Sequence, residues 1–499
     1  MVEEIRGKRD STSGSVDDKQ LELAHVEDTT AVAQDPGAEK ALMRKIDRRL
    51  LPVLYAMYFF AFIDRGNIGN ARLMNLPEDV LGGDASGKLF DWITSAFYFT
   101  YITVQIPATI TSKLFRPRVW LGCCAIAWGI SSTLQATAFN FAGLIVCRLF
   151  IGVFEAAFGP GIPVYMSLFY TKREIGLRLA CYQSFAAIGS AFSGLIAFGI
   201  QQVHASVANW KLLFIIEGVP TVIIGTIAVW ALPNRPEDTR MLDPAEKELA
   251  ISRMRRGTNK EESGTVNVGH IKLAFKDWRE YALMVGVGVI WFGMNIALAS
   301  LSAFLPTIIK TFGFQNAAAQ LLTVPPYAVA ALVMISASYI SDRIQSRGLI
   351  MACMTFIGGI GYLILLTVNH NIHAQYFATF CVTSGTYATI GLNLAWYAHN
   401  LGSETKKATG LPIYMAIGQC GSVLGSHIFP LTESPHYVKG FAISCAMQFL
   451  ACIMCLILTT SYRRENRRRD ALYGRPHPDE PVEGMAEHAD EAPMFRYVP

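Results

Sequence analysis

The chain has 499 residues, of which 52% are hydrophobic and only 16% charged, and its mean hydropathy is +0.31. The apolar residues are gathered in long blocks free of Asp, Glu, Lys and Arg, each able to cross a hydrocarbon core of roughly 30 Å, which excludes most soluble classes and points to a polytopic protein of the lipid bilayer. A formal charge of +4, from 43 Lys+Arg against 39 Asp+Glu, gives no case for nucleic-acid binding.

Residues 1–48 are polar and charged, which predicts a disordered cytoplasmic tail. The first apolar stretch begins at Leu50, so no signal peptide is expected and the first span serves as the insertion signal. Splitting the apolar blocks at polar clusters such as His370–His373 predicts twelve helical spans. They lie near 50–70, 90–112, 119–139, 141–162, 179–201, 210–232, 281–309, 319–340, 349–369, 374–397, 408–430 and 438–460. The predicted fold is thus an all-α membrane protein with one six-helix bundle in 49–232 and a second in 281–460. Between them, 233–280 reads as a cytoplasmic linker, and its LDPAEKELAISRMRR run at 242–256 as a solvated helix. Residues 461–499 form a cytoplasmic tail, expected to be disordered beyond Arg469.

Basic residues set the orientation. With both termini inside, the inner segments hold twenty Lys or Arg, among them Arg48, Arg116, Arg178, Arg343, Lys407 and Arg467, whereas the outer loops hold four, Lys88, Lys211, Lys310 and Lys439. Both ends are therefore expected in the cytoplasm. The loops TKREIGLR at 171–178 and GSETKKATG at 402–410 echo each other at matching places in the two bundles, as parallel repeats with a site between them would.

Ionisable groups inside spans cost a few kcal/mol and call for a partner or a task. Span 1 carries Asp64 and Arg65 within DRGNIGNA, and span 4 carries Arg148 and Glu155 within RLFIGVFEAAFGPG. Seven residues turn a helix by about 700°, so Arg148 and Glu155 share a stripe about 10 Å apart and do not touch. Counting depth from Leu50 sets Arg148 opposite the Asp64–Arg65 pair, with Glu155 two turns below. An acid in low dielectric can exchange a proton near neutral pH, and a guanidinium can take a carboxylate in a two-pronged grip. Asp64 and Glu155 are the candidate proton-coupling groups, and Arg65 and Arg148 the candidate anion-binding ones. For Asp64, a structural ion pair is an equal alternative. Glu217 in span 6 reads as structural.

A pocket needs a few placed polar groups among apolar walls. Mid-span candidates are Tyr98, Gln183, Trp291, Asn295, Asn393, Tyr414 and Gln419, with Trp291 and Asn295 one turn apart on one face. Helix packing is the expected role of Tyr101 and Tyr327. Gly159–Pro160–Gly161 and Pro325–Pro326 are expected to kink their helices. Ten cysteines scattered mostly through the apolar blocks suggest neither disulfides nor a metal. No catalytic residues, metal ligands or cofactor are expected, and no P-loop is present, so an enzyme is not indicated and the energy source should be an ion gradient.

DRGNIGNA, RLFIGVFEAAFGPG, WKLLFIIEG at 210–218, ALPNRPED at 231–238 and WYAHNLGSETKKA at 396–408 together resemble the major facilitator superfamily, specifically the anion:cation symporters and their fungal allantoate permease branch. The resemblance implies proton-driven uptake of a small organic anion, vitamin- or ureide-like, across a fungal plasma membrane by alternating access, with a monomer as the working unit. It carries proton roles to Asp64 and Glu155 and substrate or ion-pair roles to Arg65 and Arg148. SYISDRIQSRG at 338–348 is similar to the superfamily's loop signature, whereas SKLFRPR at 112–118 departs from it. Asp342 is expected to pair with Arg343 or Arg347, or to face a helix end, at an inner gate to which Arg178 is also assigned. An exporter or uniporter of a fungal metabolite, or a non-transporting nutrient receptor, are the alternatives.

Overall fold

The computed structural model describes residues 36–84, 86–112, 115–204, 206–257, 278–368, 370–400, 404–475 and 492–499. All its regular structure among these residues is helical. Six spans make the first bundle: α1 (Pro36–Arg72), α3 (Lys88–Ser112), α4 (Pro117–Leu134), the pair α5 (Phe141–Glu155) and α6 (Phe158–Ser167), α7 (Lys172–Gln201) and α8 (Asn209–Ala231), with the short α2 (Leu76–Val80) after the first. The linker contributes α9 (Pro244–Gly257). The second bundle comprises α10 (Trp278–Thr311), the pair α11 (Asn316–Leu321) and α12 (Val324–Ile344), α13 (Arg347–Thr367), α14 (Ile372–Asn400), α15 (Glu404–Gly425) and α16 (Val438–Tyr473).

Local chemistry explains the ends. Asn140 caps α5 by accepting from the Gly143 amide at 2.8 Å, and Thr171 with Glu174 forms a capping box at the start of α7. Pro117 and Pro325–Pro326 stand in the first turn of α4 and α12, where a missing N–H costs nothing. The expected proline kinks are thus realised as breaks just before Phe158 and Val324, each splitting one span into two helices.

Among the described residues, eight spans are long and apolar enough to cross a membrane by length and composition alone. Those that fall short, α1, α3, α14 and the described part of α15, carry polar residues toward the middle of the molecule. Large apolar side chains such as Trp230 at 79% and Leu332 at 66% exposure point outward, a surface that only lipid covers without penalty. In the first bundle α4 packs on α8, α1 on α7 and α3 on α5; in the second α13 packs on α14 and α16, and α10 on α15. The bundles meet through α7 with α12, α3 with α15 and α1 with α10.

Three expectations about the polar segments are corrected. Residues 36–48, expected within a disordered tail, open α1 as helix with Leu42, Met43 and Ile46 buried. The linker helix α9 is docked, not solvated: Leu242, Leu249 and Ala250 are buried, and so is Arg253. Arg253 donates to Glu174 at 2.8 Å and to the Phe169 carbonyl at 2.8 Å, tying α9 to the start of α7. Lys45 and Glu246 add a surface pair at 2.6 Å. The alternating charges conceal one apolar stripe, which is what docks.

The end of the chain is not free either. Residues 492–499 lie as a strap across α14 and α16. Asn466 and Asn400 each present an amide's donor and acceptor to an extended backbone. Asn466 bonds the Tyr497 carbonyl and amide at 2.7 and 2.9 Å, and Asn400 those of Val498 at 3.2 and 2.8 Å. Tyr497 stacks on Tyr462 at 4.9 Å, and the buried Arg469 donates to the Phe495 carbonyl. The predicted disorder of residues 1–35 and 476–491 lies outside the described residues, as do 401–403 and the side chains of 404–410 in the GSETKKATG echo.

Candidate functional site

Asp64 and Arg65 are neighbours on α1, so their side chains leave the helix about 100° apart. That splits them between two neighbourhoods. Asp64 is fully buried and turns toward α4 and α8, accepting from Ser132 Oγ at 2.7 Å and Thr221 Oγ1 at 2.8 Å. Arg65 turns toward α3 and α5. Its Nε donates to Glu155 Oε1 at 2.7 Å, and a terminal nitrogen stands 2.6 Å from the same oxygen. The rings of Phe62, Phe97 and Tyr101 surround the guanidinium at 5.1 to 5.2 Å, which partly replaces lost hydration.

Arg148 is buried on the stripe of α5 that also carries Glu155, as its spacing predicts. Asp64 of the pair it was expected to face lies within electrostatic reach, but no hydrogen bond or ion pair joins Arg148 to either member among the described residues. Its terminal nitrogen donates to Asn67 Oδ1 at 3.2 Å, and Nε has no partner. No carboxylate pairs with Arg148 among the described residues. The physical reason is that Asp64 already has two hydroxyl donors on the far side of α1, so the residue one turn on, Asn67, meets Arg148. Asn67 also donates to Ser132 at 3.4 Å, which links the two neighbourhoods.

The second bundle supplies the opposite wall. Ser422 on α15 donates to Gln419 Oε1 at 3.0 Å and lies 3.4 Å from Asn295 Oδ1 on α10. Tyr98 of α3 is within electrostatic reach of Arg65 and Arg148 and in hydrogen-bond reach of Ser422, so it spans the two halves. Trp291 and Asn295 share a face as expected, with Asn295 Nδ2 on the Trp291 carbonyl at 2.8 Å. Trp291 lies so close to α15 that a Cβ on Gly418 would sit 1.4 Å from its ring. The Trp291 ring is tilted on Tyr414 at 5.5 Å, Tyr414 stacks on Tyr397 at 4.3 Å, and both the Trp291 Nε1 and the Tyr414 hydroxyl lack partners.

Gln183 accepts from the Tyr58 hydroxyl on α1, and Tyr58 lies within electrostatic reach of Arg65 and Glu155. Asn393 is fully buried on α14 with both amide atoms unpartnered, and no hydrogen bond joins it to the other candidates. Tyr101, expected to be a packing residue, belongs to the aromatic cage of Arg65. Tyr327 is packed edge-on against Tyr387 as expected. Tyr58, Asn67, Ser132, Thr221 and Ser422 were missed, since lone polar or aromatic residues on a helix give no signal without a partner.

At the end that the distribution of basic residues leads one to expect outside, the halves are shut. Asn316 donates to the Leu73 carbonyl at 3.0 Å, and Gln320 to the Asn70 carbonyl at 3.2 Å. A Cβ on Gly69 would lie 2.6 Å from the Ala303 carbonyl, and Arg72 sits between the Phe90 and Phe304 rings at 4.5 and 5.3 Å. At the opposite end Asp342 pairs with Arg347 at 2.9 Å, and Arg347 also meets His399 at 2.9 Å. Arg343 instead covers the Tyr339 ring at 5.1 Å, because its side chain leaves α12 on the lipid side. Arg178 forms two bonds to Asp47, at 2.8 and 2.7 Å, within its own bundle. Arg347 approaches the other half, where a Cβ on Gly176 would lie 3.7 Å from it.

Residues 54–426 match the Major Facilitator Superfamily. Among curated proteins, the chain is 34% identical to the major facilitator-type transporter hxnP of Emericella nidulans, over 94% of this chain and 95% of that one. It is 30% identical to the high-affinity nicotinic acid transporter of Saccharomyces cerevisiae, over 96% of this chain and 90% of the relative. Among solved structures, a D-xylose-proton symporter shares the fold with a TM-score of 0.64 at 15% identity, covering 82% of this chain and 96% of that one. The chain therefore belongs to the Major Facilitator Superfamily and is a multi-pass membrane transporter, not an enzyme.

Proposed function

We propose that the protein is a proton-coupled symporter for a small organic anion, a carboxylate of vitamin- or ureide-like size, within the anion:cation symporter family and its allantoate permease branch. The observation that carries this reading is Arg148: a buried guanidinium that donates to an amide oxygen and pairs with no carboxylate of the described residues, Asp64 and Glu155 being within electrostatic reach only. Such a charge is costly unless an anion joins it. A substrate carboxylate meets that need with two parallel charge-assisted bonds, while Tyr98, Ser422, Gln419 and Asn295 offer neutral contacts around it. The aromatic surfaces of Trp291 and Tyr414 suit a planar substrate body. The yeast relative named for nicotinic acid fits the same chemistry, since its namesake is a small aromatic acid.

Proton coupling follows from the other cation. Arg65 is neutralised by Glu155 as long as Glu155 is ionised. When Glu155 takes a proton, Arg65 loses its partner, and the core then holds two cations for one anion to satisfy. Proton and substrate thereby favour each other's binding, which is the thermodynamic content of symport. Asp64, held by hydroxyls alone, is the second candidate for carrying a proton. Asp342, Arg347 and His399 serve as the inner gate, a fungal plasma membrane is the location, and both termini face the cytoplasm. Uptake of labelled carboxylates at pH 5 and pH 7.5, in a host lacking its own permeases, tests the reading. One carboxylate should enter faster at pH 5, and a panel in which none does so contradicts it.

A further inference from the structure

Besides Asp64 and Asp91, Glu217 is a buried carboxyl of the first bundle outside the Arg65–Glu155–Arg148 cluster. Glu217 on α8 is 1% exposed. Its Oε1 accepts from Ser193 Oγ on α7 at 3.0 Å, and Oε2 has no partner. The groups that face it are Asp64 from α1 and Ser193 from α7, with Thr133 of α4 packed against the adjoining Gly218. No Lys, Arg or His reaches it among the described residues. A purely structural acid would be expected to have a counter-ion or a full set of donors, and Glu217 has neither.

Its surroundings run in two directions. Toward the middle of the bundle, Thr221 lies one turn along α8; its hydroxyl donates to Asp64 Oδ2 at 2.8 Å and has the Glu217 carbonyl as a neighbour at 3.3 Å. Toward the outside, Ser193 Oγ accepts from Asn70 Nδ2 at 3.0 Å. The carbonyl of that same Asn70 accepts from Gln320 of α11, one of the bonds that shut the outer side. Gly194, next to Ser193, packs against the carbonyl of Gln320 and the side chain of Thr323. An unbroken set of contacts thus leads from Asp64 through α8, Ser193 and Asn70 to the second bundle.

Glu217 has no cation beside it among the described residues, and Asp64 has Arg148 and Glu155 within electrostatic reach but is bonded to neither. Two carboxyls in such a dry pocket cannot both be charged without a large cost. Asp64 and Glu217 therefore gain or lose a proton as a coupled pair. We propose that Glu217 is a second proton-binding carboxyl of the transport cycle, coupled to Asp64, whose occupancy is passed through Ser193 and Asn70 to the Gln320 contact that closes the outer side. This rests on the proton-coupled reading above and adds the part that reading lacks, a route by which a proton changes access from outside. An ionised Glu217 holds the Ser193 hydroxyl more strongly than a neutral one, and Ser193 positions Asn70 on the same helix turn that faces α11.

The test uses a reporter, Leu73→Cys, at the outer contact, labelled in intact cells with a membrane-impermeant maleimide between pH 5 and pH 8. The unmodified chain supplies the background. With Glu217 in place, the labelling rate, expressed throughout relative to that of a free thiol at the same pH so that thiolate formation cancels, should change severalfold across this range. Glu217→Gln should flatten that dependence and displace the midpoint of the uptake pH profile. Ser193→Ala keeps the carboxyl and cuts its link to Asn70, so it should also flatten the labelling; it carries the test should Glu217→Gln fail to reach the membrane. Labelling that ignores pH in the reporter chain, or labelling and uptake profiles of both variants superimposable on those of the parent, overturns the inference. Sensitivity of the parent's uptake to a protonophore is measured alongside. Insensitive uptake overturns the symport reading itself, whereas sensitive uptake with unaltered variants overturns the role of Glu217 alone.

Discussion

Arg65 and Glu155 close on each other between α1 and α5, with a terminal nitrogen 2.6 Å from the carboxylate, and this pairing determines which cation of the core is available. Arg148, two turns from Glu155 on the same stripe, is left with Asn67 alone at 3.2 Å. The division of labour follows: Arg65 responds to the charge on Glu155, and Arg148 waits for a carboxylate brought from outside the chain.

Arg148→Lys keeps the charge and loses the fork. A guanidinium offers a carboxylate two parallel bonds and an ammonium offers one. Loss of one charge-assisted bond, worth ~1.5–3 kcal/mol, raises the half-saturating concentration by about 10- to 100-fold. Initial rates of uptake against concentration check this. Parental affinity in the variant removes Arg148 from carboxylate recognition.

Glu155→Gln makes the acid permanently neutral and leaves Arg65 to its cage of Phe62, Phe97 and Tyr101. Breaking a buried pair costs ~3–5 kcal/mol when nothing replaces the lost partner; the aromatic faces return part of it. The variant should still exchange labelled for unlabelled substrate across the membrane and should no longer accumulate it against a gradient. Counterflow and uphill uptake, measured side by side, separate these, and preserved uphill uptake contradicts coupling through Glu155.

Gly69→Ala places a methyl group where the Ala303 carbonyl stands 2.6 Å away. Backbone cannot yield as a side chain does, so α1 and α10 must separate at the outer side. The expected result is faster maleimide labelling of a cysteine at Leu73 from outside and slower net uptake. Labelling equal to that of the parent shows that this close approach does not hold the outer side shut.

Arg253→Ala removes the bonds that hold the linker helix to Glu174 and the Phe169 carbonyl, each worth ~1.5–3 kcal/mol where a charged group is involved. Faster protease cleavage within α9 is the readout. The nearby Lys45–Glu246 pair is exposed and solvent-screened, so it adds little. The Lys45 hydrogen bond holds the Glu246 carboxyl below its ordinary range, so its contribution is present above that range and fades only as pH falls beneath it. Cleavage of the parent should accordingly be the same at pH 5 and pH 8, and a linker loosened at pH 5 contradicts this.

Much of the fold was legible in the sequence because lipid imposes a single answer on an uncharged run of that length. Twelve spans, the split into six and six, and the burial of Arg148 and Glu155 on one stripe follow from helical geometry alone. What one dimension leaves out is azimuth. Depth along α1 set Asp64 and Arg65 at one height, yet their 100° separation sent one to Ser132 and Thr221 and the other to Glu155, leaving Arg148 to Asn67. The docked α9 was hidden because Leu249 and Ala250 are a narrow stripe in a charged run. The strap was hidden because its grip is backbone: Asn400 and Asn466 would hold almost any extended segment, and only Phe495 and Tyr497 hint at it.

Purified protein in proteoliposomes, with labelled carboxylate and internal pH followed together, gives the most direct check on a cation held ready for an anion that arrives with a proton. With a gradient acid outside, one carboxylate should accumulate above its external concentration while the interior acidifies in step, and a protonophore should abolish the accumulation. Carboxylate entry that proceeds at the same rate and to the same level without the gradient, and with no movement of internal pH, would contradict it.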